Sequence, residues 1–138
     1  MTSLVLDSGG LSELARSPSR LAALREEGLW PAHVPTVVLA EALTGDHRRD
    51  FHANRLLRTC QVRDATEATA REAAALRTRT GRAATIGAVD AVVVAHAAGI
   101  HDRAVVLTSD PRDIRDLATA AMRHVGVVTV HMRRPQRR

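Results

Sequence analysis

Short apolar runs alternate with longer stretches of helical periodicity along this chain. The apolar runs predict strands at residues 3–6, 33–35, 60–63, 104–108 and 127–130. Between them, apolar residues recur with helical spacing, which predicts helices at 11–16, 20–27, 37–43, 46–57, 66–77, 88–98 and 111–123. Because its strands and helices alternate, the chain is expected to be an α/β protein, with a parallel sheet covered by helices on both faces.

The pattern shows no linker and no internal repeat, so we expect a single domain over residues 1–132. The basic tail, residues 133–138, has no apolar residue to pack and is predicted to be mobile. After the first strand, Ser8, Gly9 and Gly10 are interpreted as a turn.

A buried strand that runs directly into a helix carries the first candidate chemistry. Asp110 precedes Pro111, a pair typical of a helix start, and Asp113 falls in the first turn of the predicted helix. Sites in α/β proteins gather at the carboxyl ends of strands. The two carboxylates could therefore serve a site, although helix capping alone would explain them.

Three further carboxylates lie in segments that should be largely buried. Asp7 ends the first strand, and Glu41 and Asp90 each sit among apolar residues. A buried carboxylate is unfavourable by several kcal/mol unless it is paired, hydrogen-bonded or bound to a metal. Separately, Asp7 could accept turn amides, Asp90 could cap its helix and Glu41 could point outward.

Together with Asp110, these acids should meet at one edge of the sheet. Like charges repel, and a divalent cation is the usual compensation. Oxygen ligands without a cysteine or histidine cluster favour Mg²⁺ or Mn²⁺ over zinc.

The amino-acid composition limits the classes of site and of partner that the protein can have. Twenty basic residues face fifteen acidic ones, and all twenty are arginine, which excludes a P-loop because that site needs a lysine. The basic excess favours a polyanionic partner, although a solvated surface would also account for it. With Trp30 and Phe51 as the aromatic residues, a platform that stacks RNA bases is not expected. A single cysteine, no signal peptide and no membrane span predict a soluble, cytoplasmic protein.

Four segments resemble the acidic motifs of PIN-domain nucleases: Leu6–Ser8, Val38–Gly45, Val89–Ala95 and Leu107–Asp113. Their order and the chain length resemble the VapC toxins of type II toxin–antitoxin systems. The resemblance implies a three-layer α/β/α sandwich around a parallel sheet. It also implies that Asp7, Glu41, Asp90 and Asp110 bind one or two Mg²⁺ or Mn²⁺ ions, that the activity is RNA cleavage, and that a cognate antitoxin protein occupies the groove. A homodimer is expected.

Other residues are candidates for supporting roles. Thr108 and Asp113 could orient the metal ligands, and Ser8 could bind a ligand or phosphate; capping and turn formation are the alternatives. Several arginines near Asp90 and Asp110 could grip the RNA backbone, unless they only form a solvated face: Arg77, Arg79, Arg82, Arg112 and Arg115.

The sequence therefore predicts a metal-dependent ribonuclease, the toxin of a toxin–antitoxin pair. A PIN-type nuclease that acts in RNA processing is the second hypothesis. A non-catalytic module of the same fold, binding RNA or protein, is the third, and the intact set of four acids argues against it.

Overall fold

A five-stranded parallel sheet forms the centre of the computed structural model, which describes residues 1–130. Its strands are β1 Thr2–Leu6, β2 His33–Pro35, β3 Gln61–Arg63, β4 Arg103–Thr108 and β5 Val125–Thr129. They lie in the order β3-β2-β1-β4-β5. The predicted parallel α/β sheet is confirmed.

Helices cover the sheet in two layers, as expected for a three-layer α/β/α sandwich. The helices are α1 Ser8–Arg16, α2 Pro18–Glu26, α3 Thr36–Ala42, α4 Phe51–Leu57, α5 Glu67–Arg79, α6 Ala88–Ala98 and α7 Pro111–Ala120. Helices α5, α6 and α7 contact one another, and α1 packs against α2, α3 and α4. Within residues 1–130, no helix is both long and apolar enough to cross a bilayer.

The hydrophobic core lies along the two central strands and the helices packed on them. Leu4, Val5 and Leu6 of β1 are almost fully buried, and so is Val106 of β4. A strand covered on both faces needs apolar residues throughout, which explains why these runs are continuous rather than alternating. Leu6 pairs with Leu107, so β1 and β4 end together at one edge of the sheet.

Two segments differ from the prediction. Ser8, Gly9 and Gly10 are interpreted from the sequence as a connecting turn, but they are the first three residues of helix α1, which Asp7 caps. The segment predicted as a helix at 46–57 is helical only from Phe51, because the residues before it form a turn. The predicted mobile tail, residues 133–138, and the end of the predicted domain at 131–132 lie outside the described residues.

Candidate active site

Asp7 directly follows β1 and is the N-cap residue of α1. It is only 6% exposed, and its Oδ1 accepts a hydrogen bond from the Gly10 amide at 2.7 Å. Burial raises the pKa of Asp7, and repulsion from Glu41 and Asp110 adds to that rise; the Thr108 hydroxyl and the Gly10 amide oppose it. The predicted acceptance of turn amides is thus confirmed, but a single capping bond does not neutralise the carboxylate.

The glycine pair after Asp7 lets α1 approach the end of β4 closely. A Cβ atom on Gly10 would lie 2.3 Å from the carbonyl oxygen of Leu107, and one on Gly9 would lie 1.9 Å from the Ser109 hydroxyl. Backbone cannot give way as a rotatable side chain can, so position 10 requires glycine. The pair thus serves close packing at the turn that positions Asp7.

Asp90 lies in the first turn of α6, whose N-cap residue is Gly87. It therefore does not cap that helix, which removes the structural explanation considered from the sequence. Burial raises the pKa of Asp90 to about 6, and repulsion from neighbouring carboxylates adds to the rise, first from Asp7 and then from Glu41. These three acids, one directly after β1 and the others in α3 and α6, therefore share one electrostatic environment.

Glu41 lies in the last turn of α3 and is exposed, as the outward-pointing alternative anticipated. Its charge nevertheless raises the pKa of both Asp7 and Asp90. An exposed carboxylate close to two more buried ones is accessible both to solvent and to a ligand. Glu41 therefore lies at the open side of the acidic group.

Asp110 occupies the N-cap position of α7 but forms no side-chain capping bond. The buried Thr108 hydroxyl instead accepts a hydrogen bond from the Asp110 amide and donates one to the Asp110 carbonyl. Thr108 thus shapes the turn by itself and leaves the Asp110 carboxylate uncommitted. Capping therefore does not account for Asp110, whose charge raises the pKa of Asp7 and Asp90.

The donor set fits a hard divalent cation in its chemistry. All four predicted ligands are carboxylates, and within residues 1–130 none of them forms an ion pair with an arginine. In the same part of the chain, no three acidic, histidine or cysteine side chains converge closely enough to form a ready metal site. The carboxylates are mutually repelling neighbours, and metal binding by them stays a prediction.

Asp113 is held by an ion pair that the sequence did not predict. Arg82 donates to Asp113 at 2.7 Å and also bonds Asp116, so one guanidinium joins the loop before α6 to two turns of α7. The Asp113 charge also raises the pKa of Asp90. Asp113 therefore lies beside the acidic group with its own charge compensated by Arg82.

Three of the arginines predicted to grip RNA are instead occupied within the protein. Arg82 forms the ion pairs just described, and Arg77 donates to the carbonyl oxygens of Ala83 and Ile86, which anchors the same loop. Arg79 pairs with Glu72 at 3.3 Å. These contacts give the three side chains structural roles, and RNA contact by them stays untested.

The remaining candidates are less engaged. Arg112 is exposed and has no side-chain partner within residues 1–130, whereas Arg115 reaches only the Thr129 hydroxyl, at 3.5 Å. Ser8 is the first residue of α1, and its hydroxyl has no hydrogen-bond partner in the described part of the chain. Arg112 and Ser8 are thus available to a ligand.

A buried acid that the sequence analysis missed is Asp50, which ends the turn before α4. Its carboxylate accepts hydrogen bonds from the amide and hydroxyl of Thr44 and from the amide of Gly45, at 2.8–3.0 Å. These bonds tie the start of α4 to the segment that follows Glu41. No local pattern indicates this contact, because Asp50 lies in a polar stretch typical of a surface.

Comparisons with known proteins agree with this architecture. The chain aligns with the crystal structure of DNA-bound VapBC from Salmonella typhimurium at a TM-score of 0.70 and 15% identity, over 94% of this chain and 98% of that one. The structure of VapBC2 from Rickettsia felis bound to a promoter DNA fragment gives 0.72 and 14%, over 94% and 99%. At such identities, the likeness concerns the fold.

No curated protein matches the sequence significantly. Residues 4–120 match the PIN domain family, and the chain belongs to that family.

Proposed function

We propose that this protein is a metal-dependent ribonuclease and the toxin of a toxin–antitoxin pair. The observation that carries the proposal is the mutual electrostatic repulsion of carboxylates that have no arginine partner within residues 1–130. Their mutual repulsion helps to raise the pKa of Asp90 to about 6. Carboxylates crowded without basic partners are characteristic of a cation site and are costly otherwise. PIN domains generally depend on a divalent metal, which supports the same reading.

Asp7, Glu41, Asp90 and Asp110 are the residues that would hold Mg²⁺ or Mn²⁺. When bound, the ion would activate a water molecule and offset charge that develops on the scissile phosphate. Thr108 keeps the Asp110 turn in shape, and the Gly10 amide orients the Asp7 carboxylate. The ion pair with Arg82 compensates the negative charge of Asp113, so Asp113 repels an incoming phosphate less.

The toxin assignment rests on similarity of fold. The two VapBC structures are complexes of related architecture bound to DNA, and they align with nearly the whole of this chain. We therefore propose an antitoxin protein as the natural partner, a homodimer as the assembly and the cytoplasm as the location. Growth arrest on expression, absent in an Asp90→Asn variant, would distinguish a toxin from an RNA-processing nuclease.

Product analysis of RNA cleavage tests the mechanism. The purified protein, treated with EDTA, should cut a single-stranded RNA only after Mg²⁺ or Mn²⁺ is restored. The products should carry 5′-phosphate and 3′-hydroxyl ends, because water rather than the RNA 2′-hydroxyl is the nucleophile. A 2′,3′-cyclic phosphate, or full activity in EDTA, would exclude this mechanism.

A further inference from the structure

A basic surface on the segment 47–58 has no role in the site described above. Its exposed side chains include Arg48, Arg49, Phe51, Arg55 and Arg58; we name these five the α4 surface. Within residues 1–130, none of the four guanidinium groups has a hydrogen-bond or ion-pair partner. In this they differ from Arg77, Arg79 and Arg82, whose side chains bind within the protein.

Helix geometry places an aromatic ring among these charges. Phe51, the single phenylalanine of the chain, is 55% exposed and touches the His52 ring edge-on, with centroids 5.3 Å apart. Phe51, Arg55 and Arg58 follow one another at helical spacings of four and three residues, so they share one face of α4. The opposite side of α4 is apolar, because Leu56 and Leu57 are buried against the core.

The fold joins this surface to the acidic group. The Asp50 carboxylate bonds Thr44 and Gly45, which come directly after the helix that carries Glu41. Helix α4 also packs on α1, the helix that Asp7 caps. These links place the segment of the α4 surface beside the two helices, α1 and α3, that carry the Asp7 cap and Glu41.

We propose that the α4 surface binds single-stranded RNA next to the cleavage site, with arginines on phosphates and Phe51 stacked on a base. Unpaired cations that follow a backbone, together with an exposed aromatic ring, are the features by which proteins bind single strands. A protein partner is the alternative occupant, because arginine and aromatic residues are also enriched at protein interfaces; the experiment below separates the two. This inference rests on the proposed ribonuclease function and departs from the expectation that the protein has no platform that stacks RNA bases.

Equilibrium binding to a fluorescent 12-nucleotide oligouridylate tests the inference, with full-length protein carrying Asp90→Asn, in EDTA. Arg55→Ala/Arg58→Ala should weaken binding about tenfold or more and reduce the salt slope by about 1.4, since each phosphate contact contributes about 0.7 for a single strand. Phe51→Leu should weaken binding at least about fivefold, whereas Phe51→Trp should retain it, because both keep apolar bulk but only tryptophan keeps a π-face.

The matched control is Arg71→Ala/Arg103→Ala, which removes the same charge elsewhere. Within residues 1–130, Arg71 pairs with the exposed Glu67 alone, and Arg103 begins β4 at the opposite edge of the sheet. This double variant should change the affinity less than about threefold. If the α4 double variant fails to fold, as judged by its melting curve, Arg48→Ala/Arg49→Ala provides the same comparison.

Equal losses in the two double variants would overturn the inference, because net charge alone would then explain binding. A change in oligomeric state with unchanged RNA affinity would also overturn it and would assign the surface to protein contacts. Cleavage of RNA by the otherwise unaltered protein is measured in parallel. If the α4 variants bind and cleave RNA normally, this inference fails but the proposed function stands. If the protein with an unchanged α4 surface neither binds nor cleaves RNA, the proposed function fails too.

Discussion

Two buried aspartates, Asp7 and Asp50, have similar exposure and opposite electrostatics. They are 6% and 5% exposed. The Thr44 and Gly45 hydrogen bonds to Asp50 lower its pKa, whereas burial raises the pKa of Asp7, whose one backbone donor is the Gly10 amide. At Asp50 the hydrogen bonds outweigh the effect of burial on the pKa, whereas at Asp7 burial prevails and the neighbouring carboxylates add to the rise.

The contrast separates structural acids from candidate functional ones. Asp50 has its charge satisfied within its own loop, and its role ends with holding that loop. Asp7 is short of donors and lies near Glu41 and Asp110, which also raise its pKa. A carboxylate left in this condition is unfavourable for the folded protein unless a ligand compensates it. The two kinds of acid should therefore respond differently to substitution.

The largest expected effect is on catalysis. Asp90→Asn should reduce metal-dependent RNA cleavage about 1000-fold or more, because a metal ligand contributes several kcal/mol to transition-state stabilisation. In EDTA, the free energy of unfolding should stay the same or rise, since a repelled charge is removed. Initial rates with Mg²⁺ and urea denaturation check both results. The control, Asp64→Asn at an exposed site, should cleave normally. A large loss of stability in Asp90→Asn would assign this residue to the structural class.

The opposite pattern is expected for Asp50→Ala. This change leaves the Thr44 and Gly45 donors without their acceptor, so the melting temperature should fall further than for neutralisation of any acid of the site. The melting temperature of Asp50→Asn should fall as well, since the amide group would present a donor to other donors. Calorimetric melting curves measure the difference, and Asp64→Ala is the control. An unchanged melting temperature in Asp50→Ala would mean that the Thr44 and Gly45 hydrogen bonds do not stabilise the fold.

The support of Asp7 is tested at Gly10. Gly10→Ala should lower the free energy of unfolding by about 1–3 kcal/mol, because its Cβ would overlap the Leu107 carbonyl oxygen. Gly87→Ala is the matched control, since a Cβ there meets nothing within 4 Å; its cost should be below about 1 kcal/mol. Chemical denaturation gives both values. Equal values would mean that close approach does not explain the glycine at position 10.

The smallest effect concerns pH. The folded-state pKa of Asp90 is raised to about 6, so its contribution to stability is present below the unfolded pKa near 3.8 and is lost as the pH rises through 6. In EDTA, the slope from Asp90 is at most about 1.4 kcal/mol per pH unit for one proton. His33 and His96, whose pKa values are lowered by burial, contribute the opposite slope nearby.

The difference between the protein and its Asp90→Asn variant isolates the contribution of Asp90. Urea denaturation between pH 4 and 7 in EDTA should show the parent losing stability relative to the variant as the pH rises. Parallel curves would indicate that the charge of Asp90 is already compensated in the folded protein.

Much of the fold could be predicted from local patterns. Continuous apolar runs such as Val105–Leu107 are required wherever a strand is covered on both faces, and helical periodicity between them implies a parallel sheet. The order of Asp7, Glu41, Asp90 and Asp110 along these elements was enough to expect them at one edge. The structure brings their charges within mutual influence.

Long-range partners could not be predicted, because they join residues from separate elements through packing. Local signals indicated that Asp110 caps a helix, that Ser8–Gly10 form a turn and that Arg77 and Arg82 face solvent or RNA. Instead, Thr108 shapes the Asp110 turn, the glycines lie against β4, and Arg82 bonds two acids of α7. The residue types and their spacing thus defined the kind of site. Which carboxylate is satisfied and which stays uncompensated was decided by tertiary packing, because donors come from whichever chain segments lie nearby.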